Sequence, residues 1–240
     1  MKPRSIVMVY LSSDETVSDQ LCFNWTQSAP QARFNVRFLS KLLFLLKPPQ
    51  PLSEQIFADA CRHAEGRTRR KAYPADLLHI TLFCVGCFGT IPESLISKIR
   101  KAMDGISGRP FPVTLDRCAV FGNRSSHVLK SSQDIPEIEG LARLLERQLR
   151  RRNLPFVPFQ PIVPHITTIY GCGKIDTMSI EQPYHWTADD FVLVYSHNGL
   201  TRHDELERWS LSAKANDYER PTRQLIFQDS DIQSHSASDV

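Results

Sequence analysis

The chain has no long apolar run. None approaches the ~20 residues a helix needs to cross a bilayer, so a membrane-spanning helix is not expected. Net charge is nearly absent as well: 29 Lys and Arg against 26 Asp and Glu leave a formal +3. That balance admits an anionic ligand but does not describe a protein that coats duplex nucleic acid by charge. The six cysteines, Cys22, Cys61, Cys84, Cys87, Cys118 and Cys172, are scattered. Cys84-Val85-Gly86-Cys87 has C-x-x-C spacing, but no second such pair exists to complete a zinc site. It also closes a strand-like run, whereas a redox pair opens a helix. Free buried thiols in a reducing cytosol are the expectation. No Asp/Glu/His cluster shows metal-ligand spacing, so no metal and no other cofactor is expected. Residues 6–11 are apolar but too short for a signal-peptide core, which points to a cytoplasmic protein without a membrane partner.

What is present is a phrase that occurs twice. His79-Ile80-Thr81 lies in the run 76–83 and His165-Ile166-Thr167 in the run 163–170, both apolar and β-branched. Such runs read as buried strands. Side chains in a strand alternate faces. His and Thr of each copy therefore share one face, while Ile80 and Ile166 point the other way into a core. A single His-x-Thr would be a weak signal and its His an ordinary hydrogen-bonded residue. Two copies with matching apolar flanks offer two imidazoles and two hydroxyls to one cleft.

The rest of the chain gives the frame. Residues 1–38 are mostly polar and aperiodic and read as a loosely packed N-terminal extension, with 6–11 a candidate strand. Residues 39–215 read as one globular domain, and 216–240 as a polar, disordered tail. Within the domain, 41–46 is an apolar strand stopped by Lys47-Pro48-Pro49. A helix follows from 51, with Ser53 as N-cap and Gly66 at its end. The basic run Arg67, Arg69, Arg70, Lys71 reads as a solvated loop, or else as a rim for RNA phosphates. After the first motif strand and a turn at 86–89, a second helix opens at Ile91-Pro92-Glu93 with the stripe Ile91, Leu95, Ile99, Met103. Residues 111–121 form a long strand, and 127–130 return it after a turn at 122–124. A third helix, capped by Asp134, carries Ile138, Leu141, Leu145 and Leu149 on one face. The second motif strand follows. Residues 181–189 read as a loop, 190–196 as a strand, and 205–211 as a closing strand. The order is mixed α+β. The 86 residues between the motifs, about half the domain, predict two similar lobes with one motif strand each.

Two histidines flanking one phosphorus make an acid-base pair: one takes a proton from attacking water, the other gives one to the departing oxygen. Imidazole suits this because it titrates near neutrality. Threonine hydroxyls hold the non-bridging oxygens.

The pattern resembles the 2H phosphoesterase superfamily, which is defined by two H-x-T-x motifs. Here they read His79-Ile80-Thr81-Leu82 and His165-Ile166-Thr167-Thr168. The likeness extends over about residues 42–212 and is strongest to the LigT-like RNA 2',3'-cyclic phosphodiesterases, also labelled 2'-5' RNA ligases. It implies a bilobal, pseudo-twofold α+β fold, two antiparallel sheets facing across a central cleft with helices outside. It implies the opening of 2',3'-cyclic phosphate ends of RNA or nucleotides to 2'-phosphomonoesters, and a monomer is expected. By the same resemblance His79 would protonate the leaving 3' oxygen, His165 would activate water, and Thr81 and Thr167 would bind the phosphate. Many relatives carry a basic residue shortly after the second motif, where this chain has Tyr170-Gly171. Arg124 or Lys130, or no residue at all, would then supply positive charge. Two other readings stand beside this one: a 2'-5' RNA ligase or non-catalytic RNA- or nucleotide-binding module, and a structural domain with two core histidines.

Overall fold

In the computed structural model the described residues are 40–212, apart from 66, 67, 69, 92, 122–125, 159–162 and 173–177. The expected extension, the tail, Cys22, Arg124, Gly66 and Pro92 lie outside them. β1 (Ser40–Leu46) is aliphatic because all but Lys41 are buried. Leu42, Phe44 and Leu46 join the main core, while Leu43 and Leu45 meet Val192 and Val194 on the opposite face. A strand packed on both faces cannot alternate with polar residues.

α1 (Gln50–Ala64) follows, then β2 (Ile80–Phe88), α2 (Glu93–Met103), β3 (Phe111–Phe121), β4 (Ser126–Lys130), α3 (Pro136–Arg151), β5 (His165–Tyr170), β6 (Met178–Ala188), β7 (Asp190–His197) and β8 (Arg202–Ser210). Every pairing is antiparallel, in the order β6-β3-β4-β5-β2-β1-β7-β8. The two motif strands are central neighbours, yet their ladder consists of one pair, Ile80 with Ile166. That seam divides the ladder into two four-stranded halves, each with its motif strand innermost. The two sheets expected from the resemblance are thus joined at one point.

The helices exchange partners across the seam. α1 precedes β2 in the chain but packs on the other half: Ala64 clusters with Ile169 and Cys172, and the Tyr184 hydroxyl donates to Asp59 at 2.6 Å. α3 precedes β5 but packs against β2, where Phe156, just beyond the helix, stacks on Phe83 at 6.2 Å. The Val157 amide donates to the Cys84 carbonyl at 3.0 Å. Each helix therefore ties one half to the chain of the other. Among the described residues no helix is long and apolar enough to cross a membrane.

Several local expectations change. α1 starts at Gln50, so Ser53 lies inside it, buried, donating to the Gln50 carbonyl at 3.0 Å. The N-cap of α3 is Ile135 rather than Asp134. β2 runs through the expected 86–89 turn as far as Phe88. The expected loop at 181–189 is most of β6, an edge strand, where Pro183 costs no ladder bond that a neighbour needs. Of the cysteines, Cys87, Cys118 and Cys172 are buried as expected, whereas Cys61 is exposed.

Candidate active site

Each motif histidine sits at the mouth of its strand, after a proline-containing approach. Pro74 leads through a tight turn at Ala75–Leu77 to His79, and Pro164 immediately precedes His165. Ile80 and Ile166 are fully buried, while His79, Thr81, His165 and Thr167 are all partly exposed. The strand alternation predicted from the sequence holds in both copies.

The two imidazoles are anchored in the same way. Nδ1 of His79 lies 2.6 Å from the Leu77 carbonyl oxygen, and Nδ1 of His165 lies 2.8 Å from that of Val163. A carbonyl can only accept, so Nδ1 carries the proton in each ring. Nε2 is left with a lone pair. The backbone thus fixes both the orientation and the tautomer of two bases related by the seam.

A bulge follows each motif threonine. Thr81 pairs with Leu45, but Phe44 then pairs with Phe83, so Leu82 is the extra residue. Thr167 pairs with Val128, but His127 then pairs with Ile169, so Thr168 is the extra residue. The fourth position of H-x-T-x is the bulged one in both strands. A bulge shifts the alternation by one residue. It brings Tyr170 back to the face of His165 and Thr167, where its hydroxyl hydrogen-bonds that of Thr167. Thr168 turns inward, where its hydroxyl donates to the His127 carbonyl at 3.2 Å.

Two lysines complete the symmetry. Lys130 lies directly opposite His165 on β4. Leu46 lies opposite Ile80, so the next residue, Lys47, falls opposite His79. Cross-strand partners share a face. Lys130 was a candidate from the sequence; Lys47, at the strand-stopping Lys-Pro-Pro, was not. Two further groups carried no sequence signal. His203 of β8 brings its ring centroid to 5.2 Å from that of His79, although β8 is three strands from β2. That half-sheet must therefore be strongly coiled. Phe121 meets the His165 ring edge-on at 4.8 Å. Arg70, from the basic run, packs its guanidinium on Gly171, where an added Cβ would lie 3.0 Å from Nε. Gly171 has φ +67°, so a side chain there would be strained by its backbone and would have to push Arg70 aside.

The surroundings hold the imidazoles neutral. His79 is pulled down to about 4, chiefly by burial, against the Leu77 hydrogen bond and with the help of His203, His165 and Lys47. His203 also falls to about 4, through burial, then Lys47 and His197. His165 is lowered by burial, opposed by its bond to Val163. His165 is among the groups whose charge His79 feels, so the two motifs occupy one electrostatic site. Among the described residues no group of three or more His, Cys, Asp or Glu is arranged to hold a metal ion.

The model of the 2'-5' RNA ligase superfamily matches residues 48–200, which contain both motifs and the strands that carry them. The chain belongs to this superfamily. Solved structures give the same fold. E. coli LigT complexed with 3'-AMP superimposes with a TM-score of 0.61 at 23% identity, covering 72% of this chain and 99% of that one. The apo form of E. coli LigT gives 0.60 at 23% identity, over 73% and 99%. TT0787 of Thermus thermophilus gives 0.58 at 19% identity, over 71% and 97%. No curated protein matches by sequence. The superfamily match and the bilobal fold bear out the likeness read from the two H-x-T-x motifs.

Proposed function

We propose that this member of the 2'-5' RNA ligase superfamily is a metal-independent, monomeric cytoplasmic phosphodiesterase that opens 2',3'-cyclic phosphate ends of RNA to 2'-phosphomonoesters. The observation that carries the reading is the matched pair of imidazoles, each with Nδ1–H tied to a backbone carbonyl and Nε2 left to handle a proton. A binding module needs no such pair, and a core histidine would not be partly exposed beside its twin.

Water attacks phosphorus as the bond from phosphorus to O3' breaks. His165 Nε2 receives the proton of water, and His79 Nε2 delivers one to O3', leaving a 3'-hydroxyl and a 2'-phosphate. Thr81 and Thr167 donate to the non-bridging oxygens, with Thr167 steadied by Tyr170. Lys130, opposite His165, offsets the charge that builds on phosphorus. At rest both histidines are neutral, so His79 must gain its proton as the anionic substrate arrives. Negative charge at the site favours that protonation.

The test is incubation with each nucleoside 2',3'-cyclic phosphate in EDTA, with 2'- and 3'-phosphates separated. Clean 2'-phosphate, abolished in His79→Ala and His165→Ala proteins that remain folded, is the expected result. Full activity in either variant would sink the assignment. Formation of a 2'-5' linkage with an added 5'-hydroxyl oligonucleotide, in place of hydrolysis, would move the reading to ligation.

A further inference from the structure

The two halves match at the motifs, at the bulges and at the lysines, but not beside the histidines. His165 is flanked by the Phe121 ring, whereas His79 is flanked by His203. One side of the site is aromatic and the other is basic.

On the basic side Lys47 is only loosely committed. Lys47 reaches its carboxylate partner, Glu205, only at 3.9 Å. Glu205 is already gripped by the Arg208 fork, Nε to Oε1 at 2.8 Å and Nη2 to Oε2 at 2.9 Å. Asp204, next to His203 in the chain, is held by His197 at 2.6 Å and by Arg202 at 2.8 Å. Both carboxylates are shared with these stronger partners, so they offset the charge of Lys47 and His203 only in part. His203 Nδ1 is buried and has no hydrogen-bond partner among the described residues. A nitrogen with no acceptor nearby is the costlier place for the proton. The neutral ring therefore carries it on Nε2, as a donor.

A cyclic phosphodiester bears one negative charge, and in the reaction proposed above Lys130, opposite His165, is the cation that balances it. Lys47 and a protonatable His203 are surplus to that need.

We propose that Lys47 and His203 form a second phosphate subsite beside His79, which takes the internucleotide phosphate preceding the cyclic end of an oligonucleotide. The subsite rests on the phosphodiesterase reading above and makes RNA ends, rather than free nucleotides, the preferred substrates. Binding of the second phosphate draws a proton onto His203, which turns a neutral ring into a charged partner.

The experiment compares adenosine 2',3'-cyclic phosphate with the dinucleotide ApA ending in a 2',3'-cyclic phosphate. These share the reacting group and differ by one nucleoside and the phosphate that joins it. A charge-assisted contact predicts that kcat/KM favours the dinucleotide by roughly tenfold in the native protein. In His203→Phe, which fills the same space, that ratio falls to near one; in His203→Gln, which keeps a donor, part of it returns. A native ratio near one, or a ratio unchanged in His203→Phe, overturns the subsite. A merely structural His203 would lower both substrates together and leave the ratio alone. If the native protein turns over neither substrate, the phosphodiesterase reading fails, and the subsite is read from binding instead. Calorimetric affinity for ApA carrying a 3'-phosphate should then exceed that for 3'-AMP by about tenfold, with the gain lost in His203→Phe. Equal affinities in the native protein overturn it.

Discussion

Ile80 and Ile166 face each other across the seam and are, among the described residues, the one pair through which the two half-sheets are laddered together. Both are fully buried, and each is the middle residue of its motif. The packing that joins the halves is therefore the packing that aims His79, Thr81, His165 and Thr167. Shortening Ile166 to Ala should cost about 2–5 kcal/mol, because the transfer term and the cavity term add at a site with neighbours on all sides. Urea unfolding measures this. A cost below about 1 kcal/mol would mean that the seam relaxes and does not hold the halves in register.

The anchored tautomers set a pH dependence of catalysis. His79 titrates near 4, so at neutral pH few free molecules carry the proton that the departing O3' needs. Expressed as kcat/KM, activity should fall as pH rises from about 6 to 8, approaching tenfold per unit. Lys47 is one of the groups that lower His79. Lys47→Met should therefore move this limb to higher pH, whatever it does to the absolute rate. A limb that stays in place, or moves down, would show that His79 is not the group being read.

Truncation at the motifs should separate proton transfer from charge stabilisation. His79→Ala and His165→Ala each remove a proton-transfer group, so kcat should drop by about 10² to 10⁴. Thr81→Val and Thr167→Val keep the strand shape and remove one donor each. They should cost about 10² to 10³ in kcat, with the pH profile unmoved. All four side chains are partly exposed, so thermal unfolding should change little. A threonine variant with altered pH limbs would mean that the hydroxyl tunes a histidine and does not hold the phosphate.

The motifs were legible because their signal is local. Alternation placed Ile80 and Ile166 in the core and the other four side chains on one face, from a pattern three residues long. The apolar strand at β1 and the stripes on α2 and α3 were legible for the same reason. β6 was misread because Glu181, Gln182 and Pro183 carry loop chemistry; an edge strand tolerates them, and the buried Tyr184, Trp186 and Ala188 already alternated with His185 and Thr187. The caps slipped because Ser53 and Asp134 have cap chemistry, while the helix starts were set by Pro49 and Ile135 nearby. The bulges at Leu82 and Thr168 depend on a one-residue register that no single strand records. His203 was invisible because its meeting with His79 depends on how far β8 coils back over three strands.

The second bulge ties Thr168 to a buried histidine, His127. Thr168 Oγ1 donates to the His127 carbonyl, and His127 Nδ1 lies 2.6 Å from that same Oγ1, so Nδ1 is the donor to the hydroxyl. The His127 ring is 3% exposed and stacks on His63 at 4.6 Å. Asp59, Cys118 and Tyr184 line the same pocket, but the Tyr184 hydroxyl already donates to Asp59. Burial, and then the charge of His63, pull His127 down from 6.5 to about 4. In the unfolded chain it titrates at its ordinary value. Between these two values the unfolded state binds a proton that the folded state refuses, so stability falls as pH falls. His79 and His203 act in the same direction. The contribution of His127 alone is on the order of 3 kcal/mol across that window. His127→Asn keeps a side-chain donor for Thr168 but cannot titrate. Its stability should therefore decline less steeply than the native protein's between pH 6.5 and 4. Parallel stability curves for the two proteins would show that His127 takes up its proton without opening the fold.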